Sequence, residues 1–246
     1  MKPEIFARRR RELIEHMGSG VAIIPTSPER VRNRDVHYRY RPDSDFYYLT
    51  GFTEPDAVAV IVPGREHGEY ILFCRERDPR METWNGPRAG QDGACDIYGA
   101  DDSFPIDDID EILPGLMENT QRVFHSMGYN PEFDKHVINW VNALRDKARS
   151  GVHAPGEFVA LDNLLHEMRL FKSAAEIRTM KQAAKISVAA HRRAMRTCQP
   201  GMMEYELEAE LVYEFTRHGS VAPAYNSIVG AGANGCNQGL ANIGLG

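Results

Sequence analysis

Short apolar runs bounded by turn residues dominate the first part of the chain. They are GVAIIP at residues 20–25, AVAVIVPG at 57–64 and EYILFC at 69–74. A further run, QRVFHSMG at 121–128, has the same character. Apolar runs of this length between Gly, Pro and charged residues are typical of short buried strands. The pattern therefore predicts four strands in the first half of the sequence.

Segments with apolar residues at helical spacing lie between and beside these runs. The segment PEIFARRRRELIEHM has an apolar face made of Ile5, Phe6, Leu13, Ile14 and Met17. The basic run Arg8–Arg11 is then expected to lie on the solvated face of that helix. Residues 134–151 also repeat apolar positions at helical spacing, and Gly151 is a typical C-terminal stop. Strands that alternate with helices predict an α/β first domain.

A polar stretch from Arg75 to Pro105, punctuated by Gly and Pro, is predicted to form loops with functional potential.

The last third of the chain changes pattern near residue 172. Ser173 and Glu176 form an S-x-x-E capping box, which predicts a helix from Ala174 to about Cys198. A second helix is predicted from Met203 to about His218, with candidate core positions at Leu207, Leu211, Val212 and Phe215. YNSIVG at 225–230 is β-like. We expect two domains, 1–171 and 172–246, of which the second is small for an independent core.

Composition and charge narrow the functional class. The 246 residues are 42% hydrophobic and 26% charged, with a net charge of −6, which favours solubility and argues against a nucleic-acid partner. The longest apolar run, at 57–62, is far too short to span a bilayer. The four cysteines are scattered without a C-x-x-C pair, which suits reduced thiols in the cytoplasm. We therefore expect a cytoplasmic protein that binds neither nucleic acid nor membranes.

Three glycines, Gly230, Gly232 and Gly235, spell the G-x-G-x-x-G of a dinucleotide-binding turn. That turn functions where a strand enters it and a helix leaves it, with an acidic residue about 20 positions later. Here the sequence after Gly235 has no helical periodicity and no acidic residue. A Rossmann-type oxidoreductase is therefore the least favoured functional hypothesis.

Two further motifs favour structural roles over metal binding. His166-Glu167 opens like the zinc motif H-E-x-x-H, but Leu170 stands where the second histidine belongs. The acidic stretch DDSFPIDDIDE at 101–111 lacks the Gly-centred loop of an EF-hand, so a solvated loop and helix start is the favoured interpretation.

The loop RDPRMETWNGPRAGQDGA at 77–94 places Trp84 among Arg80, Arg88 and glycines. An exposed indole indicates an interface or a ligand contact. The alternative is that Trp84 is buried under its own loop. Both interpretations remain open from the sequence alone.

Five segments together resemble the bacterial aminopeptidase P family, the Xaa-Pro aminopeptidases. They are YRYRPDSDFYYLTGFTEPDAVAVI, ETWNGPRAGQDGA, HEMRLFKSAAEI, PGMMEYELEAEL and YNSIVGAGANGC, in the family's order and spacing. The resemblance implies a creatinase-like N-terminal α/β domain followed by a pita-bread metallopeptidase domain, an α/β (α+β) fold class. It also implies removal of the N-terminal residue from peptides with proline at the second position.

The resemblance further implies a cofactor of two divalent metals, usually Mn²⁺, held by two Asp, one His and two Glu. A dinuclear site of this kind generates a nucleophile near neutral pH. In this sequence the last carboxylate is Glu214 and the last histidine is His218, so none of these ligands has a counterpart. We expect a C-terminally truncated chain, with a frameshift near Cys236 as one origin. We also expect it to be inactive alone, with an incomplete pita-bread part that is loosely packed or covered by a partner.

The same resemblance implies a role for the W-x-G-x-R segment, in which Trp84 and Arg88 contact a neighbouring subunit or its substrate. It thus implies a homo-oligomer. Two hypotheses follow: a truncated Xaa-Pro aminopeptidase, or a non-catalytic oligomerisation module that pairs with full-length peptidase subunits.

Overall fold

The computed structural model describes residues 2–232 and residue 235. The strands among these residues, in chain order, are β1 (Val21–Pro25), β2 (Val31–Asn33), β3 (Val36–His37), β4 (Val58–Ile61), β5 (Tyr70–Cys74), β6 (Asp102–Pro105), β7 (Arg122–Phe124) and β8 (Glu157–Val159). The α-helices are α1 (Pro3–Met17), α2 (Ser44–Thr50), α3 (Pro79–Asn85), α4 (Gly90–Asp96), α5 (Ile109–Met117), α6 (Pro131–Asp146), α7 (Leu161–Leu170), α8 (Ala174–Thr197) and α9 (Glu204–Arg217). The chain divides into two compact units between Phe171 and Lys172.

The first unit is built on a mixed six-stranded sheet with the order β6-β5-β4-β1-β7-β8. Strand β4 is antiparallel to both of its neighbours, β1 and β5. The pairs β5–β6, β1–β7 and β7–β8 are parallel. Five strands therefore run in one direction, and their carboxyl ends share one edge of the sheet. The small hairpin β2–β3 forms a separate two-stranded sheet.

Alternate residues of the central strands enter two hydrophobic cores on opposite faces of the sheet. In β1, Ala22 and Ile24 belong to one core while Val21 and Ile23 belong to the other. The first core also holds residues of α1, α2, α4 and α7, and the second holds residues of α5 and α6. The first unit is thus a three-layer α/β/α structure, which confirms the α/β fold class.

The apolar runs predicted as strands contain β1, β4, β5 and β7, so these predictions are confirmed. The loop prediction for residues 75–105 was wrong in part, because this stretch contains α3, α4 and β6. Helix α3 begins where Asp78 accepts hydrogen bonds from the backbone N–H groups of Arg80 and Met81, with Pro79 at the first helical position. Capping of this kind can establish a short helix in a segment whose apolar periodicity is weak.

The expectation of a solvated face for Arg8–Arg11 is corrected by the structure. Arg9 and Arg10 are buried, at 3% and 6% exposure. The Arg9 guanidinium donates to the carbonyl of Tyr48 at 2.9 Å, and that of Arg10 donates to the carbonyls of Leu49 at 3.0 Å and Gly99 at 3.1 Å. Carbonyls left unpaired at a helix end are the partners that such donors satisfy.

The second unit contains α8 and α9, and the predicted capping box is present. The Ser173 side chain accepts from the backbone N–H of Glu176, whose carboxylate accepts from the backbone N–H of Ser173 at 2.8 Å. The strand predicted for YNSIVG at 225–230 is absent, since these residues form no regular structure. A strand needs a partner for its backbone groups, and the described part of this unit supplies none.

Candidate functional site

The loops that follow the parallel strands lie at the carboxyl edge of the six-stranded sheet. The strand order reverses beside β1, whose neighbours are the antiparallel β4 and the parallel β7. Crevices at such switch points are the usual ligand sites of open α/β sheets. A ligand site is therefore expected at the carboxyl ends of β1 and β7, between the loops beside them.

A cleft of about 320 Å³ opens at this point, next to the carboxyl ends of β1 and β7. Its lining mixes apolar side chains, such as Ile24 and Leu165, with polar and charged ones, which include Thr26, Arg30, Asp45, Ser126, Asp162 and His166. Both signs of charge are present beside an apolar floor, so the cleft offers polar groups that could orient a ligand.

Three side chains in this cleft, Asp45, Asp162 and His166, place potential metal-ligand atoms within 4.8 Å of one another. They form the only such group of His, Cys, Asp or Glu found among the described residues. Asp45 lies in the first turn of α2 and Asp162 in the first turn of α7, with His166 one helical turn later. Two carboxylates and an imidazole could in principle hold a divalent cation.

The protein already compensates both carboxylates of this group. The Arg169 guanidinium forms an ion pair with Asp45, and the Ser126 hydroxyl donates to Asp162 at 2.5 Å. Burial raises the pKa of Asp45, the Arg169 charge opposes that rise, and the nearby Asp43 charge adds to it. Because Arg169 occupies the Asp45 carboxylate, we interpret the group as a structural link between α2 and α7.

No sequence motif contains this group, and His166 stands out in the sequence only as half of a zinc-peptidase motif. The four-residue spacing between Asp162 and His166 was an available signal, because such residues share one face of a helix. The approach of Asp45 depends on the tertiary fold and had no local signal.

The predicted site residues Trp84 and Arg88 belong to the segment after β5, also at the carboxyl edge. Trp84 lies on α3 and is 85% exposed, so the alternative in which the indole is buried under its own loop does not hold. Met81 on the same helix is 43% exposed. The tip of this segment is therefore an exposed apolar surface.

The base of the same segment is fixed by polar contacts. The Arg88 guanidinium donates to the carbonyl of Glu76 at 3.1 Å, and the backbone N–H of Ala89 donates to Glu54 at 2.7 Å. The Glu54 carboxylate also lies 3.6 Å from the Arg75 guanidinium. The buried Nε atoms of Arg75 and Arg88 have no hydrogen-bond partner among the described residues. These contacts hold the base of the segment in place, and two of its buried N–H donors have no acceptor among the described residues.

The second unit shows a different kind of surface, with large apolar side chains exposed along both helices. On α8 these include Met180 at 56% and Met195 at 72%, and on α9 Tyr205 and Tyr213, both at 53%. The four candidate core positions predicted on α9 are not fully buried: Leu207, Leu211, Val212 and Phe215 are intermediate or exposed. Only Ala190, Ala194 and Glu214 are buried on these two helices.

Outside the cleft of the first unit, the described residues form no further candidate metal site. The acidic stretch at 101–111 forms β6 and the start of α5 and joins no metal-ligand group among the described residues. Three cysteines are free thiols: Cys74, Cys95 and Cys198. The fourth, Cys236, lies outside the described residues, and so does the frameshift expected near it. No helix in the described part of the chain is long and apolar enough to cross a membrane.

Comparison with protein families identifies both parts of the chain. Residues 6–124 match the family described as "Aminopeptidase P, N-terminal domain". Residues 178–240 match the family described as "Metallopeptidase family M24".

Individual relatives agree with these matches. The Xaa-Pro aminopeptidase of Escherichia coli is 42% identical over 233 residues, which cover 94% of this chain and 53% of the relative. The Xaa-Pro aminopeptidase of Haemophilus influenzae is 36% identical, with 96% and 52% covered. The chain thus spans about half the length of the curated relatives it matches.

Solved structures give the same result. An aminopeptidase of Pseudomonas aeruginosa superposes with a TM-score of 0.94 at 57% identity, covering 96% of this chain and 54% of that one. A proline aminopeptidase P II from Yersinia pestis gives a TM-score of 0.92 at 42% identity, with 97% and 55% covered. The chain belongs to the aminopeptidase P family, and it carries that family's N-terminal domain together with part of an M24 metallopeptidase domain.

Proposed function

We propose that these 246 residues form the N-terminal half of a Xaa-Pro aminopeptidase, an enzyme that removes the residue preceding a proline at position two of a peptide. The observation that carries this proposal is the 42% identity to the Escherichia coli enzyme over 94% of the chain. The proposed division is an N-terminal domain of residues 1–171 and the start of a pita-bread catalytic domain from residue 172. Three free thiols are compatible with action in the reducing cytosol.

Manganese is the cofactor we propose for the complete enzyme, and the residues described here do not fit a two-metal site. The described part of the M24 region, residues 178–232 and residue 235, contains no group of three His, Cys, Asp or Glu that could hold a metal. The Asp45–Asp162–His166 group belongs to the first unit, and Arg169 already pairs with its Asp45. We therefore propose that a polypeptide of these 246 residues does not hydrolyse peptides by itself.

The exposed surface of α8 and α9 supports the same proposal. Met180 and Met195 on α8 and Tyr205 and Tyr213 on α9 are more than half exposed. Exposed apolar area forgoes about 25 cal/mol per Å² of stabilisation, so a cover over these helices would stabilise the second unit. We propose that further sequence of the M24 domain provides that cover in the complete enzyme.

A second candidate function is an interaction module, and the exposure of Trp84 favours it. An indole that is 85% exposed on a helix whose base is fixed is presented for contact with another molecule. Aromatic residues presented in this way often dominate binding energy at interfaces. We propose that Trp84 and Arg88 contact a neighbouring subunit, or its bound peptide, in a homo-oligomer or in a mixed assembly with full-length subunits.

A chimera tests the proposed function. Residues 1–232 replace the matching region of the Escherichia coli Xaa-Pro aminopeptidase, and release of the first residue from an Xaa-Pro peptide is measured with Mn²⁺. We expect hydrolysis by the chimera, and a loss of activity with Trp84→Ala that the control Ile97→Ala does not show. Ile97 is a suitable control because it is 61% exposed in the same unit and does not line the cleft beside β1 and β7. A folded chimera without activity contradicts the proposed function, and activity insensitive to Trp84→Ala contradicts the role of Trp84.

A further inference from the structure

Two segments of the first unit meet beside the carboxyl end of β5. One is the Trp84 segment, residues 75–89, which runs from the end of β5 to the start of α4 and carries α3 with the exposed indole. The other is the loop at residues 51–57, which joins α2 to β4. Glu54 lies in this loop and contacts the Trp84 segment. One carboxylate of the second segment therefore reaches the base of the first.

The two ends of the Trp84 segment lie against each other. The Arg88 guanidinium, near the end of the segment, donates to the carbonyl of Glu76 near its beginning, at 3.1 Å. A Cβ placed on Gly90 would lie 2.6 Å from Cγ of Arg77, so the chain that leaves the segment is in close contact with its first residues. The segment is therefore a loop that is closed at its base.

The Glu54 carboxylate contacts both ends of this loop at once. Its Oε1 atom accepts from the backbone N–H of Ala89 at 2.7 Å, at the end of the segment. Its Oε2 atom lies 3.6 Å from the Arg75 guanidinium, at the beginning. The side chains of Glu54 and Arg75 are each 16% exposed, so water screens their charges only in part. Contacts of a charged group in such surroundings are stronger than they are at an open surface.

The backbone around Glu54 is anchored in the first unit. Phe52, two residues earlier, is fully buried in the core that also holds residues of α1 and α2. Pro55, the next residue, is buried as well, and its ring disfavours a helical backbone at Glu54. Glu54 therefore connects the base of the Trp84 segment to the hydrophobic core.

Removal of this carboxylate would leave polar groups at the base without a partner. The Ala89 N–H would lose its acceptor, and the Arg75 guanidinium would lose the negative charge beside it. The Nε atoms of Arg75 and Arg88 already lack a hydrogen-bond partner among the described residues. Buried donors without acceptors destabilise the arrangement that buries them. The base should therefore open when Glu54 is removed, and α3 would then no longer hold Trp84 in one orientation.

We propose that Glu54 is a positioning residue, whose carboxylate closes the base of the Trp84 segment and so holds the indole in the orientation that the complete enzyme uses. The effect on activity rests on the proposed function, in which Trp84 contacts a neighbouring subunit or its bound peptide. Closure of the base does not rest on that function, because it depends only on contacts inside the first unit. Two separate measurements therefore distinguish closure from its effect on activity.

Hydrogen exchange followed by mass spectrometry tests closure of the base on the full 246-residue chain. Glu54→Ala removes both contacts, whereas Glu54→Gln keeps an oxygen that can accept from the Ala89 N–H and removes the charge. The matched control is Glu76→Ala. Glu76 lies at the same base, but it is exposed and contributes its backbone carbonyl rather than its carboxylate.

We expect Glu54→Ala to accelerate exchange in residues 79–89 by about tenfold or more, because local opening becomes easier when a charged hydrogen bond is lost. Exchange in β5 should not change, since the sheet does not depend on this contact. Glu54→Gln should keep most of the protection of residues 79–89, and Glu76→Ala should keep all of it.

Steady-state kinetics test the effect on activity in the chimera with the Escherichia coli enzyme. We expect Glu54→Ala to lower kcat/KM about tenfold, Glu54→Gln to recover most of this loss, and Glu76→Ala to leave kcat/KM unchanged. The double variant Glu54→Ala/Trp84→Ala should lose no more than Trp84→Ala alone, because a residue that acts through the indole has no effect once the indole is absent. A general structural role of Glu54 would instead lower kcat/KM further in the double variant.

Three results overturn the proposal. They are exchange in residues 79–89 that is as slow in Glu54→Ala as in Glu76→Ala, an equal acceleration in β5, and losses of kcat/KM that multiply in the double variant. An active chimera that is insensitive to Trp84→Ala overturns the effect on activity together with the proposed role of Trp84. Accelerated exchange in Glu54→Ala would then still support closure of the base, so the two failures are distinguishable.

Discussion

Substitution of Arg10 by alanine tests the view that a buried guanidinium joins α1 to the rest of the first unit. Arg10 is 6% exposed and donates to the carbonyls of Leu49 and Gly99, at 3.0 Å and 3.1 Å. Its guanidinium also lies 3.9 Å from the centre of the Tyr70 ring. Burial lowers the pKa of Arg10, and electrostatic interactions with Tyr70 and with the Asp101 carboxylate partly oppose that decrease. Burial of the guanidinium charge therefore costs free energy, and the hydrogen bonds and the ring contact offset that cost.

The expected loss follows from these contacts. A hydrogen bond from a charged donor contributes about 1.5–3 kcal/mol, and a desolvated cation–π contact up to about 2 kcal/mol. Relief of the desolvation of the guanidinium offsets part of this sum. We therefore expect Arg10→Ala to lower the free energy of unfolding of the first unit by about 3–4 kcal/mol.

Tryptophan fluorescence during denaturant unfolding measures this loss. Both tryptophans, Trp84 and Trp140, belong to the first unit, and Trp140 is 4% exposed. The signal therefore reports on that unit and is insensitive to α8 and α9. Arg8→Ala is the matched control, because Arg8 lies on the same helix but is exposed. A loss below about 1 kcal/mol, or one equal to that of the control, would refute the reasoning.

Three further predictions concern the backbone, a helix cap and a tyrosine. A Cβ at Gly51, where φ is +69°, would lie 2.6 Å from the Phe6 ring, so Gly51→Ala should cost about 2–3 kcal/mol in the same unfolding assay. Gly151→Ala is the control, since Gly151 has the same left-handed conformation with φ +83° and no atom lies within 4 Å, and should cost only about 1 kcal/mol. Removal of the α8 cap by Ser173→Ala should cost the second unit about 1 kcal/mol, measured by loss of helical circular dichroism on heating. Burial raises the pKa of Tyr40 to about 12, above the unfolded value of about 10. Its contribution to stability should therefore be complete below pH of about 10 and disappear toward pH of about 12, as followed by tyrosinate absorbance.

Each of these predictions has a clear contradiction. Equal effects of Gly51→Ala and Gly151→Ala would show that the Phe6 ring moves aside. A thermal transition of the second unit unaffected by Ser173→Ala would show that the cap contributes nothing. If Tyr40→Phe removes tyrosinate absorbance near pH of about 10 and not near pH of about 12, Tyr40 ionises with the exposed tyrosines and the prediction is wrong.

The sequence predicted those features of the fold that have a local chemical cause. The strands β1, β4 and β5 are continuous apolar runs, because both of their faces are buried. The start of α8 was identified from Ser173 and Glu176, whose side chains satisfy each other's backbone N–H groups. Features of this kind depend on neighbours in sequence and need no tertiary information.

The failures have tertiary causes. A basic run is normally solvated, and only the approach of the Tyr48 and Leu49 carbonyls makes burial of Arg9 and Arg10 favourable. The group of Asp45, Asp162 and His166 is assembled from two helices far apart in sequence, so no motif contains it. The YNSIVG segment has strand-like composition, but composition cannot supply the partner strand that a sheet requires.

Peptide hydrolysis by the 246-residue polypeptide tests the central claim most directly. The claim is that this part of an aminopeptidase P family member provides structure and assembly, while the metal chemistry of the family needs ligands that it does not contain. The measurement is release of the first amino acid from an Xaa-Pro peptide with Mn²⁺, in a sample free of any full-length peptidase and beside the Escherichia coli enzyme as a positive control. The account predicts no release above the rate without protein. Release that depends on Mn²⁺ and stops when a chelator is added would contradict it.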